Sequence, residues 1–145
     1  MNKIKIIFIG LLIGCFVLAA LISLKIQNKE DYRQKTVLAQ EIRKALDHLM
    51  TDLYDARENT IQGVPADGKW YNRIAFEHVR LGALEYVLRG GHLWCLNKDK
   101  AVLIADDIGA LRIRRQKETP DILEVQIEAR NNVALVSNFK VRIRH

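Results

Sequence analysis

The chain is poor in several residue types, and each shortage excludes something. Of its 145 residues only Cys15 and Cys95 are cysteines. Cys15 lies inside an apolar run, so the remainder of the chain has one thiol and cannot close an internal disulfide. Pro65 and Pro120 are the only prolines, and there is no low-complexity stretch or internal repeat. Ser23 and Ser137 are the only serines, and neither sits in a nucleophile-elbow sequence. His48, His78, His92 and His145 show no metal-ligand spacing with a cysteine or carboxylate. Gly90-Gly91 lacks the lysine and following helix of a phosphate loop. Cys95 follows Trp94 in an apolar strand and reads as a buried, inert thiol. Asp106-Asp107 offers two carboxylates where calcium needs six to eight oxygens, and reads as a solvated turn. The sequence therefore points to no catalytic residue, no cofactor, no metal and no small-molecule substrate.

Acidic residues are missing altogether before Glu30. Residues 6–24, IIFIGLLIGCFVLAALISL, carry no charge, with Lys3 and Lys5 before them and Lys25 after. At about 1.5 Å of rise per residue such a run is just long enough to cross a hydrocarbon core of about 30 Å. It reads as an uncleaved transmembrane anchor in contact with membrane lipid through Ile6, Phe8, Leu12, Phe16, Leu21 and Leu24. Two other readings compete. The basic start and apolar centre also resemble a cleaved signal peptide. Leu12-Ile13-Gly14-Cys15 also matches a lipoprotein box, although residues 16–24 stay apolar after the cysteine. Lys25, Lys29, Arg33 and Lys35 outnumber Lys3 and Lys5, which taken alone favours a cytoplasmic C-terminal part. A tail of residues 1–5 before an apolar core is nevertheless typical of a signal anchor. The expected location is the inner (cytoplasmic) membrane, single-pass, with the C-terminal domain outside the cytoplasm.

The net charge of +6 falls by three when Lys3, Lys5 and Lys25 are assigned to the membrane flanks. Nucleic-acid binding needs a concentrated basic face. The densest candidate, Arg112, Arg114 and Arg115, reads more simply as the outer face of a strand, so no nucleic-acid partner is expected.

From Ile26 the periodicity is helical. Leu38, Ile42, Leu46, Leu49 and Leu53 recur at three- and four-residue steps, forming one apolar stripe. No glycine or proline interrupts residues 15–62, so anchor and amphipathic segment can form one helix, ending near Asn59. Glu41, Asp47, Asp52 and Asp55 fall mostly off the stripe. Gly63, Pro65, Asp67 and Gly68 mark a loop. Beyond it the period becomes two. Strands are expected around Ile74 and Phe76, from Leu84 to Leu88, from His92 to Leu96, over 101–105, 111–115 and 123–130, and around Phe139 to Ile143. Gly90-Gly91 is a two-residue hairpin turn, and Asn131-Asn132 turns the chain near its end. Trp70 and Tyr71, beside Lys69 and Arg73, form a candidate partner contact; the alternative is that Trp70 closes the end of the core.

An apolar anchor running into a long amphipathic helix and then a small antiparallel meander resembles the type IV pilin and pseudopilin architecture. The segment IAFEHVRLGALEYVLRGGHLWCLNKDKAVLIADDIGALRIRR is similar in order to the minor pseudopilins of type II secretion, particularly the J-type, and to W-type minor pilins. The matching residues are Tyr86, Leu88, Leu93, Leu103, Ile108 and Leu111. The leader departs from the family. Gly10 and Gly14 follow isoleucines rather than basic residues, and the fifth positions after them are Cys15 and Ala19 instead of glutamate. The letters thus favour a pilin-like subunit that stays an uncleaved membrane protein.

The expected fold class is α+β: an N-terminal transmembrane helix continuing into an amphipathic helix packed on one small antiparallel sheet. The expected segments are a basic tail (1–5), the anchor (6–24), the amphipathic helix (25–59), a loop (60–72) and the sheet domain (73–145). What the resemblance implies is a non-enzymatic subunit assembling with other pilin-like subunits in a secretion or pilus apparatus. The rival is a signal-anchored envelope binding module with no filament role.

Overall fold

The computed structural model describes residues 2–98, 100–130 and 135–143, with the backbone alone for residues 2–15 and 58. The fold is α+β, with one long N-terminal helix, α1 (Asn2–Tyr54), followed among the described residues by seven strands. These are β1 (Arg73–His78), β2 (Gly82–Arg89), β3 (His92–Asn97), β4 (Lys100–Ala105), β5 (Ile108–Arg115), β6 (Ile122–Ala129) and β7 (Val136–Arg142). The chain divides into two units, Met1–Thr36 and Val37–His145.

In the first unit the described side chains from Phe16 onward are exposed. Phe16, Val17, Leu18, Leu21, Ile22, Leu24 and Ile26 meet no cover from their own chain, and Phe16 is 78 % exposed. Among the described residues no helix is long and apolar enough to cross a membrane. The side chains of Ile6, Phe8 and Leu12, the first half of the apolar run, lie outside the described residues.

The second unit is built around the C-terminal part of α1. Ile42, Ala45, Leu49, Leu53 and Ala56 are buried in one core with strands of both sheets. Leu46 is half-buried against that core, and Leu38 is half-buried one turn before it begins. The three- and four-residue steps bring these side chains to one face, and the alternating strands supply the other.

Two sheets are present where one was expected. One is four-stranded, in the order β1-β2-β3-β4; the other is three-stranded, in the order β5-β6-β7. All pairings are antiparallel. The break falls at Asp106-Asp107, where Asp107 takes a left-handed φ of 54°. The N–H of Ile108 donates to Gly91 O (2.9 Å) and that of Arg130 to Asp107 O (2.7 Å), so the chain leaves β4 and starts a new sheet. Alternation predicts which faces are dry but not which strand pairs with which. The Gly90-Gly91 turn has the expected form, with φ of 62° and 87°. The Asn131-Asn132 turn lies outside the described residues.

The helix ends at Tyr54 rather than near Asn59. The chain beyond it satisfies its backbone on the edge of β1 instead: Arg57 N donates to Glu77 O (2.9 Å) and Val79 N to Asp55 O (3.0 Å). Ala56 and His78 form an antiparallel bridge. Ala56 keeps the apolar period going because it enters the core, not because the helix continues. The loop that follows laces both sheets. Gln62 bridges Ala75 in β1, and Tyr71 bridges Ile113 in β5.

Candidate functional site

Two clusters of polar side chains stand out, one on each sheet. The first lies on the wet face of the three-stranded sheet. The register places Arg114, Glu124 and Lys140 side by side across β5, β6 and β7. Glu124 Oε1 accepts from Lys140 Nζ at 2.7 Å and from Gln116 Nε2 at 2.6 Å, and its Oε2 pairs with Arg114. These neighbours cover the carboxylate, leaving Glu124 7 % exposed. The Lys140 ammonium first, then Arg114 and Gln116, hold its pKa down at about 2, against a smaller opposing effect of burial.

The Arg114 guanidinium also lies 4.4 Å above the centre of the Trp70 ring, a cation–π contact. Trp70 is 43 % exposed. Beside it a shallow groove of about 450 Å³ is lined by Trp70, Arg114, Glu124, Gln126, Asn138 and Lys140. This surface offers an aromatic plane, amide groups and a row in which two cations, Arg114 and Lys140, share one carboxylate. An exposed aromatic ring beside an arginine is the kind of set that protein interfaces use.

Trp70 and Tyr71, paired in the sequence reading, are separated in the structure. Tyr71 is half-buried against the core, and its backbone exchanges two 2.7 Å hydrogen bonds with Ile113. Its hydroxyl donates to Asp67 Oδ2 at 2.6 Å, a bond that raises the Tyr71 pKa and lowers that of Asp67. Tyr71 therefore fastens the loop to the edge of β5, and Trp70 alone belongs to the open face. The basic run is likewise absorbed. Arg112 pairs with Glu128 at 2.9 Å, Arg114 with Glu124, and Arg115 Nε donates to Pro120 O at 2.8 Å.

The second cluster was not visible in the sequence. It joins α1 to the four-stranded sheet around Asp52, which is 6 % exposed. The Tyr86 hydroxyl donates to Asp52 Oδ2 at 2.5 Å. Its oxygen lies 3.0 Å from His48 Nδ1. Since the single phenolic proton goes to Asp52, the geometry assigns the other proton to His48 Nδ1 as donor. On the far side His78 Nδ1 accepts the N–H groups of Arg80 (3.0 Å) and Leu81 (3.1 Å). That leaves His78 Nε2 as the N–H, facing Asp52 Oδ1 at 4.0 Å and Asp55 Oδ2 at 3.8 Å. Arg80 closes the network on Asp55 Oδ2 at 3.0 Å.

This arrangement holds protons in place. Burial, then the bond to Asp52, pushes the Tyr86 phenol far above its ordinary value. Cys95 is buried nearby, and burial raises its thiol pKa while Tyr86 partly offsets the rise. Neither group is a nucleophile under ordinary conditions. Phe76 stacks on Tyr86 at 6.3 Å and 8°, closing the apolar side. His48 and Arg80 reach the surface, His48 at a groove of about 540 Å³ that also touches Gln40, Lys44 and Thr51. Among the described residues no group of three or more His, Cys, Asp or Glu is placed to hold a metal ion. Asp106 Oδ1 sits 2.5 Å from His92 Nδ1, and Asp107 faces solvent.

The remaining sequence-derived residues divide between the two units. Phe16, Leu21 and Leu24 are exposed on α1. Ile42, Leu49 and Leu53 are buried, while Leu38 and Leu46 are half-buried. No protein-family model matches the chain, and no curated protein matches it.

Proposed function

We propose that the chain is a non-enzymatic, single-pass membrane subunit of pilin-like type, resembling the minor pseudopilins, which assembles through its N-terminal helix in a secretion or pilus-like apparatus. One observation carries this reading: within the uncharged run 6–24 the described apolar side chains, from Phe16 to Leu24, have no cover from their own chain. Phe16, Leu18, Leu21, Ile22 and Leu24 need a cover, and burying each contributes about 1.5–3 kcal/mol. Lipid supplies that cover in the membrane and neighbouring helices supply it in an assembly. The α+β head, with Ile42, Leu49 and Leu53 buried against its strands, supports the same reading. In this reading the head lies outside the inner membrane.

A second reading is favoured by Trp70 and its groove. A signal-anchored envelope module can hold a protein partner there without forming a filament. The experiment that separates these possibilities is the intact mass of the protein taken from native membranes, followed by cross-linking of the variant Leu21→Cys. An uncleaved mass with helix-to-helix cross-links supports the pilin-like subunit. An uncleaved mass without them supports the binding module. A cut before Cys15 with added acyl mass, or recovery of the chain free of the membrane, overturns the anchor.

A further inference from the structure

The two sheets have four outer edges, and three of them are blunted. The β1 edge is covered by Arg57 and Gln62, whose N–H groups donate to Glu77 O (2.9 Å) and Ala75 O (2.7 Å). The β5 edge is covered by Gly68 and Tyr71, donating to Arg115 O (3.1 Å) and Ile113 O (2.7 Å). The β7 edge carries exposed Lys140 and Arg142. Charges and covering segments of this kind keep sheet edges from pairing with other chains.

The β4 edge has no covering segment among the described residues, and its one charged residue is Lys100 at its first position. It stands last in its sheet, and among the described residues no further strand pairs with it. Between Lys100 and Asp106 it reads Ala-Val-Leu-Ile-Ala, with no charge and no proline. Val102 is 50 % exposed and Leu103 41 % exposed, on opposite faces of the strand. Leu103 extends a row across the outer face of the sheet through Trp94 and Val87.

The charge at the ends of β4 selects the occupant. Lys98-Asp99-Lys100 is net positive and Asp106-Asp107 is negative. An antiparallel copy of the same strand brings the basic end of one chain to the acidic end of the other, and a two-fold axis makes that match twice. A parallel copy would set like charges together. We propose that β4 is a pairing edge for β4 of a second copy, joining two four-stranded sheets head to head through main-chain hydrogen bonds flanked by Lys100 and Asp106 or Asp107. The extra residue of the bulge opposite Leu93 and Trp94 is Ile104 of β4, and the register that sets Lys100 opposite Asp106 of the second copy places the two-fold axis at Leu103.

The test is chemical cross-linking of the full-length chain in detergent with a short bismaleimide. Val102→Cys and Leu103→Cys are compared with the wild-type chain and with Val79→Cys, an exposed position in the β1–β2 turn. The expected result is a covalent dimer from both β4 variants well above the wild-type and Val79→Cys levels. Adding Lys100→Glu to Val102→Cys should lower the dimer yield roughly two- to thirtyfold, because two cross-strand ion pairs are lost per dimer. Dimer at the same level from Val79→Cys, or none from either β4 variant, overturns the proposal. Because the readout is the position of the cross-link, a failure of the membrane anchor leaves the test of β4 intact.

Discussion

Tyr86 of β2 donates its phenolic proton to Asp52 of α1 across 2.5 Å, and the bond ties the helix to the four-stranded sheet through a buried carboxylate. Asp52 occupies a core position of the helix, three residues after Leu49 and four before Ala56. An apolar side chain there would meet the same wall. A carboxylate is tolerated because a hydroxyl meets it and the His78 N–H faces it.

Removing the hydroxyl alone should therefore cost more than its own bond. In Tyr86→Phe the carboxylate stays buried and loses its short bond from the phenol, which destabilises by about 1–3 kcal/mol. The double variant Tyr86→Phe/Asp52→Leu should recover part of that loss, since no charge is then left behind. Urea unfolding of the full-length chain, followed by tryptophan emission, measures both. A Tyr86→Phe midpoint equal to that of the wild type would show that the bond contributes nothing.

Gly109 gives a test of packing without φ strain. It is absent from the positive-φ glycines, yet a Cβ there would lie 2.7 Å from the carbonyl oxygen of Ala129 and 3.1 Å from its carbon. Both atoms are backbone of the neighbouring strand and cannot rotate away. Gly109→Ala should cost about 1–3 kcal/mol, as overpacking does. Gly68→Ala meets nothing within 4 Å but sits at a φ of 77°, so its cost is conformational alone, about 1 kcal/mol. The pair of unfolding midpoints, Gly109→Ala lower than Gly68→Ala, checks this order.

Much of the head was legible because single-residue chemistry sets it. The Gly90-Gly91 turn needs positive φ twice, and the β6 alternation from Leu123 to Ala129 leaves only one face for the core. What escaped depends on residues far apart. Asp52 looks like a surface charge until Tyr86 and His78 are brought to it from β2 and β1. Ala56 continues the helical period although it already bridges His78. The division into two sheets turns on Asp107 adopting a left-handed φ, which aspartate permits but does not require. Trp70 and Tyr71 are adjacent in sequence, and an extended backbone sends neighbouring side chains to opposite faces.

Cys95 provides a kinetic check on the same region. It is buried between β2 and β4, and burial raises its thiol pKa. In a Cys15→Ala background Ellman's reagent should react with the native chain far more slowly than with the urea-unfolded chain. An opening cost of a few kcal/mol corresponds to a factor of about 10²–10³. Equal rates in the two states would mean that Cys95 is accessible in the folded head.

Glu124 links stability to pH with a definite sign. Its folded pKa of about 2 lies below the ordinary 4.5, because Lys140, Arg114 and Gln116 favour the carboxylate. A depressed folded pKa contributes stability that is present in full above the unfolded value and is lost as pH falls through the folded one. The window is therefore from about 4.5 down to about 2. Lys140 is exposed, so solvent screening trims the contribution to about 1–2 kcal/mol at neutral pH. Glu124→Gln should be less stable than the wild type at pH 7 by that amount. The difference between the two chains should close as pH is lowered towards 2, because the wild-type carboxyl then becomes neutral as the amide already is. Unfolding curves at pH 7, 4 and 2.5 measure it. A constant difference across that range would place the stabilisation in packing, and a difference that widens in acid would reverse the assigned sign.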